Sequence, residues 1–155
     1  MYSCRACRWK KFTFLLASVL AGACRRNDAP RVGNPDDPAV VRAGEAVDYF
    51  HAGINEGRYQ ELCQTTETGA FAAVTSLPCS DFLAYLHQKL GTFIAARRSQ
   101  LPAVEDRPSG AMVRVELSYE TDYKNGAAHE RFGWRINGSR VTLTSYEVEA
   151  EALSH

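Results

Sequence analysis

The spacing of apolar positions changes period along this chain, and the change divides it into helices followed by strands. Asp37 suits a helix cap, Pro38 the first helical position and Gly57 the residue past the end. Between them Val40, Ala43, Val47, Phe50 and Ile54 recur every three or four residues, so the spacing predicts one amphipathic helix. A shorter segment from Arg58 to about Thr66 gathers Tyr59, Leu62 and Cys63. After the Leu77-Pro78 break, Ser80 is the expected cap of a helix whose Phe82, Leu83, Leu86 and Leu90 face one way, with Gly91 ending it.

Beyond Gly91 the period shortens. Residues 92–98 read as a strand, the alternative being a continued helix. Residues 99–110, with Pro102, Pro108 and Gly110, read as a loop. Three strands with hairpin signals follow. In Met112–Tyr123 the residues Val113, Val115, Leu117 and Tyr119 share a face. Asn125-Gly126 is the expected first turn, Glu130–Asn137 carries Phe132, Trp134 and Ile136 on one face, and Asn137-Gly138 is the second turn. In Arg140–Glu149, Val141 and Leu143 share a parity that Tyr146 and Val148 do not. One extra residue near Thr144 or Ser145 restores the register, which predicts a β-bulge there. On the outer face Glu116 and Glu120 are expected opposite Arg131 and Arg135, as cross-strand pairs that solvate the sheet.

The first 24 residues carry a different pattern. Arg5, Arg8, Lys10 and Lys11 precede the apolar run Phe12–Ala23, and Cys24 follows Ala21-Gly22-Ala23. A basic stretch, a short apolar stretch and small residues form a secretory signal, and the run is too short for a bilayer-spanning helix of about 20 residues. With a cysteine directly after the small residues, the segment resembles a bacterial lipoprotein signal, which implies lipidation at Cys24. An ordinary signal cut near Ala21-Gly22-Ala23 is the alternative. Residues 1–23 are thus read as signal, 24–37 (Pro, Gly and polar residues) as a flexible tether, and 38–155 as a single domain.

The whole chain balances 18 basic against 18 acidic residues. The signal holds four of the bases and no acid, so the remainder carries 14 against 18, a formal net charge of −4. That sign argues against nucleic acid as a partner. Of five cysteines, Cys4 and Cys7 fall in the signal and Cys24 takes the lipid. Cys63 and Cys79 remain as an even pair, expected as one disulfide in an oxidising compartment; two buried thiols are the alternative.

Helices followed by a curved antiparallel sheet are α+β logic. The order resembles the nuclear transport factor 2-like fold, a cone whose sheet wraps an N-terminal helix. Residues 119–150 resemble the close of a group of small bacterial secreted proteins of unknown function, through Tyr119, Thr121, Gly126, Glu130, Phe132 and Tyr146. That resemblance brings no catalytic residue.

The residues offer little for catalysis. Of the histidines, His51 lies at the edge of the first stripe and His87 at a polar boundary. His129 follows a turn and is expected in solvent, and His155 ends the chain. Asp48 and Tyr49 are close to His51 in sequence, but Tyr49, two positions away along the helix, does not face it. No metal-ligand spacing, nucleophile signature or phosphate-cradling loop is present, so no metal or cofactor is expected. Tyr49, Phe50, Tyr85, Phe93, Tyr119, Trp134 and Tyr146 are the candidate lining of a cavity between helices and sheet; the competing reading is core. The sequence is therefore read as a lipid-anchored protein of the periplasmic side, with the outer membrane favoured because Arg25 follows Cys24. Its domain is expected to be non-catalytic, binding a protein or a small apolar ligand. The alternatives are an enzyme with His51 or His87 as general base, and a secreted, non-lipidated homodimer.

Overall fold

Asp37 turns an extended segment into a helix. Its carboxylate accepts the Ala39 N–H at 2.9 Å, and Pro38 opens α1, Pro38–Asn55. This is the computed structural model of the chain, and it describes residues 30–106 and 112–154. The signal, residues 24–29 of the expected tether (Cys24 among them), 107–110 of the expected loop and His155 lie outside the described residues.

Three helices precede most of the sheet: α1, then α2 (Tyr59–Gln64) and α3 (Cys79–Leu90). Gly57, with φ +71°, follows α1, and Gly91, with φ +77°, caps α3. Ser80 does not cap α3. The Pro78 carbonyl accepts the Phe82 N–H at 2.9 Å, so the helix starts two residues earlier than the serine requires, and Ser80 points at Asp81.

The strands are β1 (Arg31–Val32), β2 (Phe93–Arg98), β3 (Ala103–Asp106), β4 (Met112–Tyr123), β5 (Gly126–Asn137) and β6 (Arg140–Ala150). They form one curved, unclosed antiparallel sheet in the order β1-β3-β4-β5-β6, with β2 on the same edge of β4 as β3. The α+β class is therefore as the sequence predicts.

Two strands lie where the sequence reads as irregular. Ala103–Asp106, inside the expected loop, pairs with Val113–Glu116, and Arg31–Val32, inside the expected tether, pairs with Ala103–Val104. Both are too short to show alternation, and they are held by pairing to a long neighbour. Residues 99–102 interrupt what is otherwise one strand along β4. Pro102 has no N–H to give, and its carbonyl accepts from Gly33 at 2.7 Å.

The two hairpin turns sit one residue off the expected positions. Lys124 and Asn125 form the first, with Gly126 opening β5; Gly138 and Ser139 form the second. The first turn docks on the end of α3, where the Asn125 N–H meets the Leu90 carbonyl at 2.9 Å and its side chain donates to the Lys89 carbonyl at 3.0 Å. β5 accordingly begins at Gly126, four residues before the expected start.

The bulge falls at Thr144. Gly133 pairs with Ser145 and Trp134 with Leu143, so Thr144 has no partner and both Leu143 and Tyr146 turn inward. The outer charge pairs differ from expectation, because the register places Glu116 opposite Gly133 and Glu120 opposite His129. Arg131 instead reaches Glu147 at 3.0 Å, and Arg135 reaches Glu67 at 2.7 Å.

The α1 stripe packs on the inner sheet face. Phe50 sits edge-on to Phe132 at 5.4 Å and tilted against Tyr146 at 5.3 Å between ring centres. Cys63 and Cys79 are joined as a disulfide with 6.0 Å between Cα atoms, and beside it the Tyr59 hydroxyl hydrogen-bonds His87 Nδ1 at 2.7 Å. Together they tie α2 to α3. The segment after α2 covers the outer edge of β6 through Glu67 N–H to the Leu143 carbonyl (2.8 Å) and Tyr146 N–H to the Ala70 carbonyl (2.9 Å). Covering that edge removes a row of unpaired backbone groups.

Candidate functional site

Among the described residues the core holds one carboxylate. Glu130 has the same parity on β5 as Phe132, Trp134 and Ile136, so the pleat that buries those side chains buries it as well. Four donors converge on it. Its Oε1 accepts from the Tyr146 hydroxyl at 2.5 Å and the Tyr123 hydroxyl at 2.9 Å. Its Oε2 accepts from the Thr121 hydroxyl at 2.6 Å and from His51 Nε2 at 2.8 Å. A carboxylate has about four lone-pair sites, and these bonds fill them.

His51 reaches this carboxylate from α1. At the end of that helix the Asn55 side chain accepts the Phe93 N–H at 2.8 Å and donates to the Phe93 carbonyl at 3.2 Å, which fixes the start of β2. The Phe93 ring then stacks on the imidazole, 4.2 Å centre to centre and 9° from parallel. His51 and Glu130 are both fully buried. Because an ionised carboxylate only accepts, Nε2 is the donor; Nδ1 is buried without a partner.

The charge state follows from the surroundings. Burial is the largest single influence on Glu130 and pushes its pKa up. Hydrogen bonds from His51, Thr121 and Tyr146, with electrostatic attraction to His51, outweigh it and hold the carboxyl below its ordinary range. Burial, and then the Glu130 charge, push Tyr123 and Tyr146 far above the usual tyrosine value, so both stay protonated as donors.

This cluster pairs a histidine with an acid, as a general base requires, but lacks access. His51 lines neither the cleft beside α3 nor the cleft beside α1. The acid it meets is not Asp48 but Glu130, 79 residues away. The signal for it was in the alternation: Thr121 and Tyr123 continue the inward parity of Val113 to Tyr119, and Glu130 that of Phe132. His87 is bound to Tyr59. His129, expected in solvent, is half-buried against Glu120 at 3.1 Å. Among the described residues no group of three His, Cys, Asp or Glu side chains is placed to hold a metal.

The aromatic candidates do not converge on one cavity. Tyr146 and Tyr123 bind Glu130, Phe93 covers His51, and Tyr119 packs edge-on to Phe132 with Arg98 5.9 Å above its ring. Tyr85 borders the cleft beside α3. Tyr49, Phe50 and Trp134 do share a cleft, of about 490 Å³, between α1, α2 and the β5–β6 hairpin. Leu62, Val141 and Leu143 add to its apolar wall, and Arg42 and Glu45 stand on its α1 side.

The polar groups around this cleft are largely engaged. Arg42 donates to the Gly138 carbonyl across one end. The Tyr49 hydroxyl is bound to Glu61 and Arg58, and the Thr65 and Thr66 hydroxyls both donate to the Leu62 carbonyl. The Trp134 indole N–H is buried with no hydrogen-bond partner. Comparison of the chain with protein-family models, curated proteins and solved structures finds no match.

Proposed function

We propose that this protein is a non-catalytic binding domain of the bacterial cell envelope, anchored through a lipid on Cys24, that holds a small apolar molecule between α1, α2 and the β5–β6 hairpin. The observation that carries it is the cleft itself. Its volume of about 490 Å³ falls within the usual range for small-molecule sites, and Phe50, Leu62, Trp134, Val141 and Leu143 give it an apolar wall. The envelope location is supported by the signal pattern of the first 24 residues and by the Cys63–Cys79 disulfide, a bond that persists in oxidising compartments. No described helix is long and apolar enough to cross a membrane. The order of three helices and a curved sheet supports kinship with nuclear transport factor 2-like domains and with small secreted bacterial proteins.

The test is a titration of the full chain with N-phenyl-1-naphthylamine, a neutral apolar dye that brightens in dry sites. Saturable binding with one site per chain is expected. It should be lost in Ala46→Phe, which fills the cleft from α1 without removing a hydrogen bond. No saturable binding up to the dye's solubility limit, or binding unchanged in the filled variant, refutes this assignment. The anchor is checked separately by the mass of the protein extracted from membranes, where an acyl mass on Cys24 is expected.

A further inference from the structure

The apolar cleft adjoins a second one. Thr65, Thr66 and Val141 line both, and beyond them a cleft of about 560 Å³ runs between the segment after α2 and strands β5 and β6. The two differ in chemistry. Around the apolar cleft Arg42, Tyr49, Thr65 and Thr66 spend their donors on the protein itself. Around its neighbour the side chains of Gln64, Thr68, Asn137, Arg140 and Thr142 have no hydrogen-bond or ion-pair partner among the described residues. An apolar wall beside a row of unspent polar groups matches a ligand divided in the same way.

The charges give the polar end its sign. Across both clefts the cations are Arg42, Arg135 and Arg140 and the acids are Glu45 and Glu67, three against two. Arg135 holds Glu67 at 2.7 Å, and Glu45 stands one turn from Arg42 on α1. Arg140 is left as the uncompensated charge. It directly precedes Val141 in β6, which places it beside the junction of the two clefts. A guanidinium matches the paired oxygens of a carboxylate or phosphate, and the amides of Gln64 and Asn137 and the hydroxyls of Thr68 and Thr142 add further donors.

Resting on the cleft assignment above, we infer that the molecule held there is an amphiphile, with its apolar body in the cleft beside α1 and a head of anionic oxygens on Arg140 in the adjoining cleft. The apolar wall gathers the body without regard to the head, because burial of apolar surface is non-directional. Arg140 supplies the orientation and the choice of charge.

Laurate, dodecan-1-ol and dodecyltrimethylammonium share a chain and differ in the charge of the head, so they form the probe set. Each is titrated against the full chain below its micelle concentration, at neutral pH, by displacement of N-phenyl-1-naphthylamine. Arg140→Gln should weaken laurate about three- to fivefold, as loss of a solvent-exposed ion pair does, and leave dodecan-1-ol unchanged. Comparing each probe across variants cancels the different hydration of the heads. Arg97→Gln removes an equal charge from β2, outside both clefts, and should alter neither probe. In the wild-type ¹H–¹⁵N spectrum both probes should move the Leu143 amide, and laurate alone the Asn137 and Arg140 amides. A change in laurate affinity below about twofold in Arg140→Gln, or an equal loss in Arg97→Gln, overturns the inference while the cleft stands. Tighter binding of dodecyltrimethylammonium than of laurate overturns the anionic head. If neither the dye nor any probe binds, the cleft assignment fails and this inference with it. The wild-type amide shifts decide the matter even if Arg140→Gln does not fold.

Discussion

Replacing Glu130 with Gln probes the buried carboxylate without changing its shape. The side chain then keeps one carbonyl oxygen and gains an NH₂. Whichever way the amide lies, it meets two donors with its NH₂: either the Tyr123 and Tyr146 hydroxyls or the Thr121 hydroxyl and His51 Nε2. Hydroxyls in that pair must turn their hydrogens away from the amide, and His51 must carry its proton on Nδ1, which is buried without a partner. Each unsatisfied buried donor costs roughly 1–3 kcal/mol, so Glu130→Gln should lose about 2–5 kcal/mol, a large share of the stability of a domain this size.

Urea unfolding followed by circular dichroism at pH 7 measures the loss, and a thermal midpoint lower by on the order of 10–20 °C should accompany it. The pH dependence supplies a second check. The folded-state pKa of Glu130 lies below its ordinary value of 4.5, so the carboxylate's contribution is complete above about pH 4.5 and disappears as pH falls through the folded-state value. The gap between wild type and Glu130→Gln should therefore be widest at neutral pH and narrow in acid. If Glu130 were a neutral acid in the core, glutamine would be its near-equivalent. A loss below about 0.5 kcal/mol at pH 7, or a gap that does not shrink in acid, would refute the ionised, four-donor description.

Two further perturbations test the helical layer. Replacing Cys63 and Cys79 together with Ser should cost about 2–4 kcal/mol, because the bond closes a 16-residue loop; denaturation with and without reductant should show the same difference in the wild type and none in the variant. Gly53→Ala adds a methyl group 2.8 Å from Leu62 Cδ2, where α1 crosses α2. Overpacking of about 1–3 kcal/mol should exceed the helix-propensity gain of about 1 kcal/mol, so the thermal midpoint should fall; a rise would mean that α2 yields freely.

The candidate site shows where sequence reasoning was strong and where it stopped. The apolar stripe of α1, its Asp37 cap, the strand β4 and the bulge at Thr144 all follow from contacts within a few residues or from the parity of one strand. They were legible because such signals are local. The burial of Glu130 was also written in parity, since it alternates in step with Phe132 and Trp134. Its partners were not, because they come from α1, β4 and β6, and only the packing of α1 on the curved sheet sets His51 against a carboxylate 79 positions away.

By itself, the sequence determined the α+β order, the start of α1 and the bounds of β4, the bulge and the pairing of Cys63 with Cys79. The tertiary structure alone decided that Arg31–Val32 and Ala103–Asp106 are strands, since strands of two and four residues owe their form to the neighbour that pairs with them. It also sorted the aromatic residues, giving Tyr146 to a buried carboxylate, Phe93 to an imidazole face, and Phe50 and Trp134 to an apolar cleft. Periodicity assigns a side chain to a face; which group waits on the other side depends on how the layers meet.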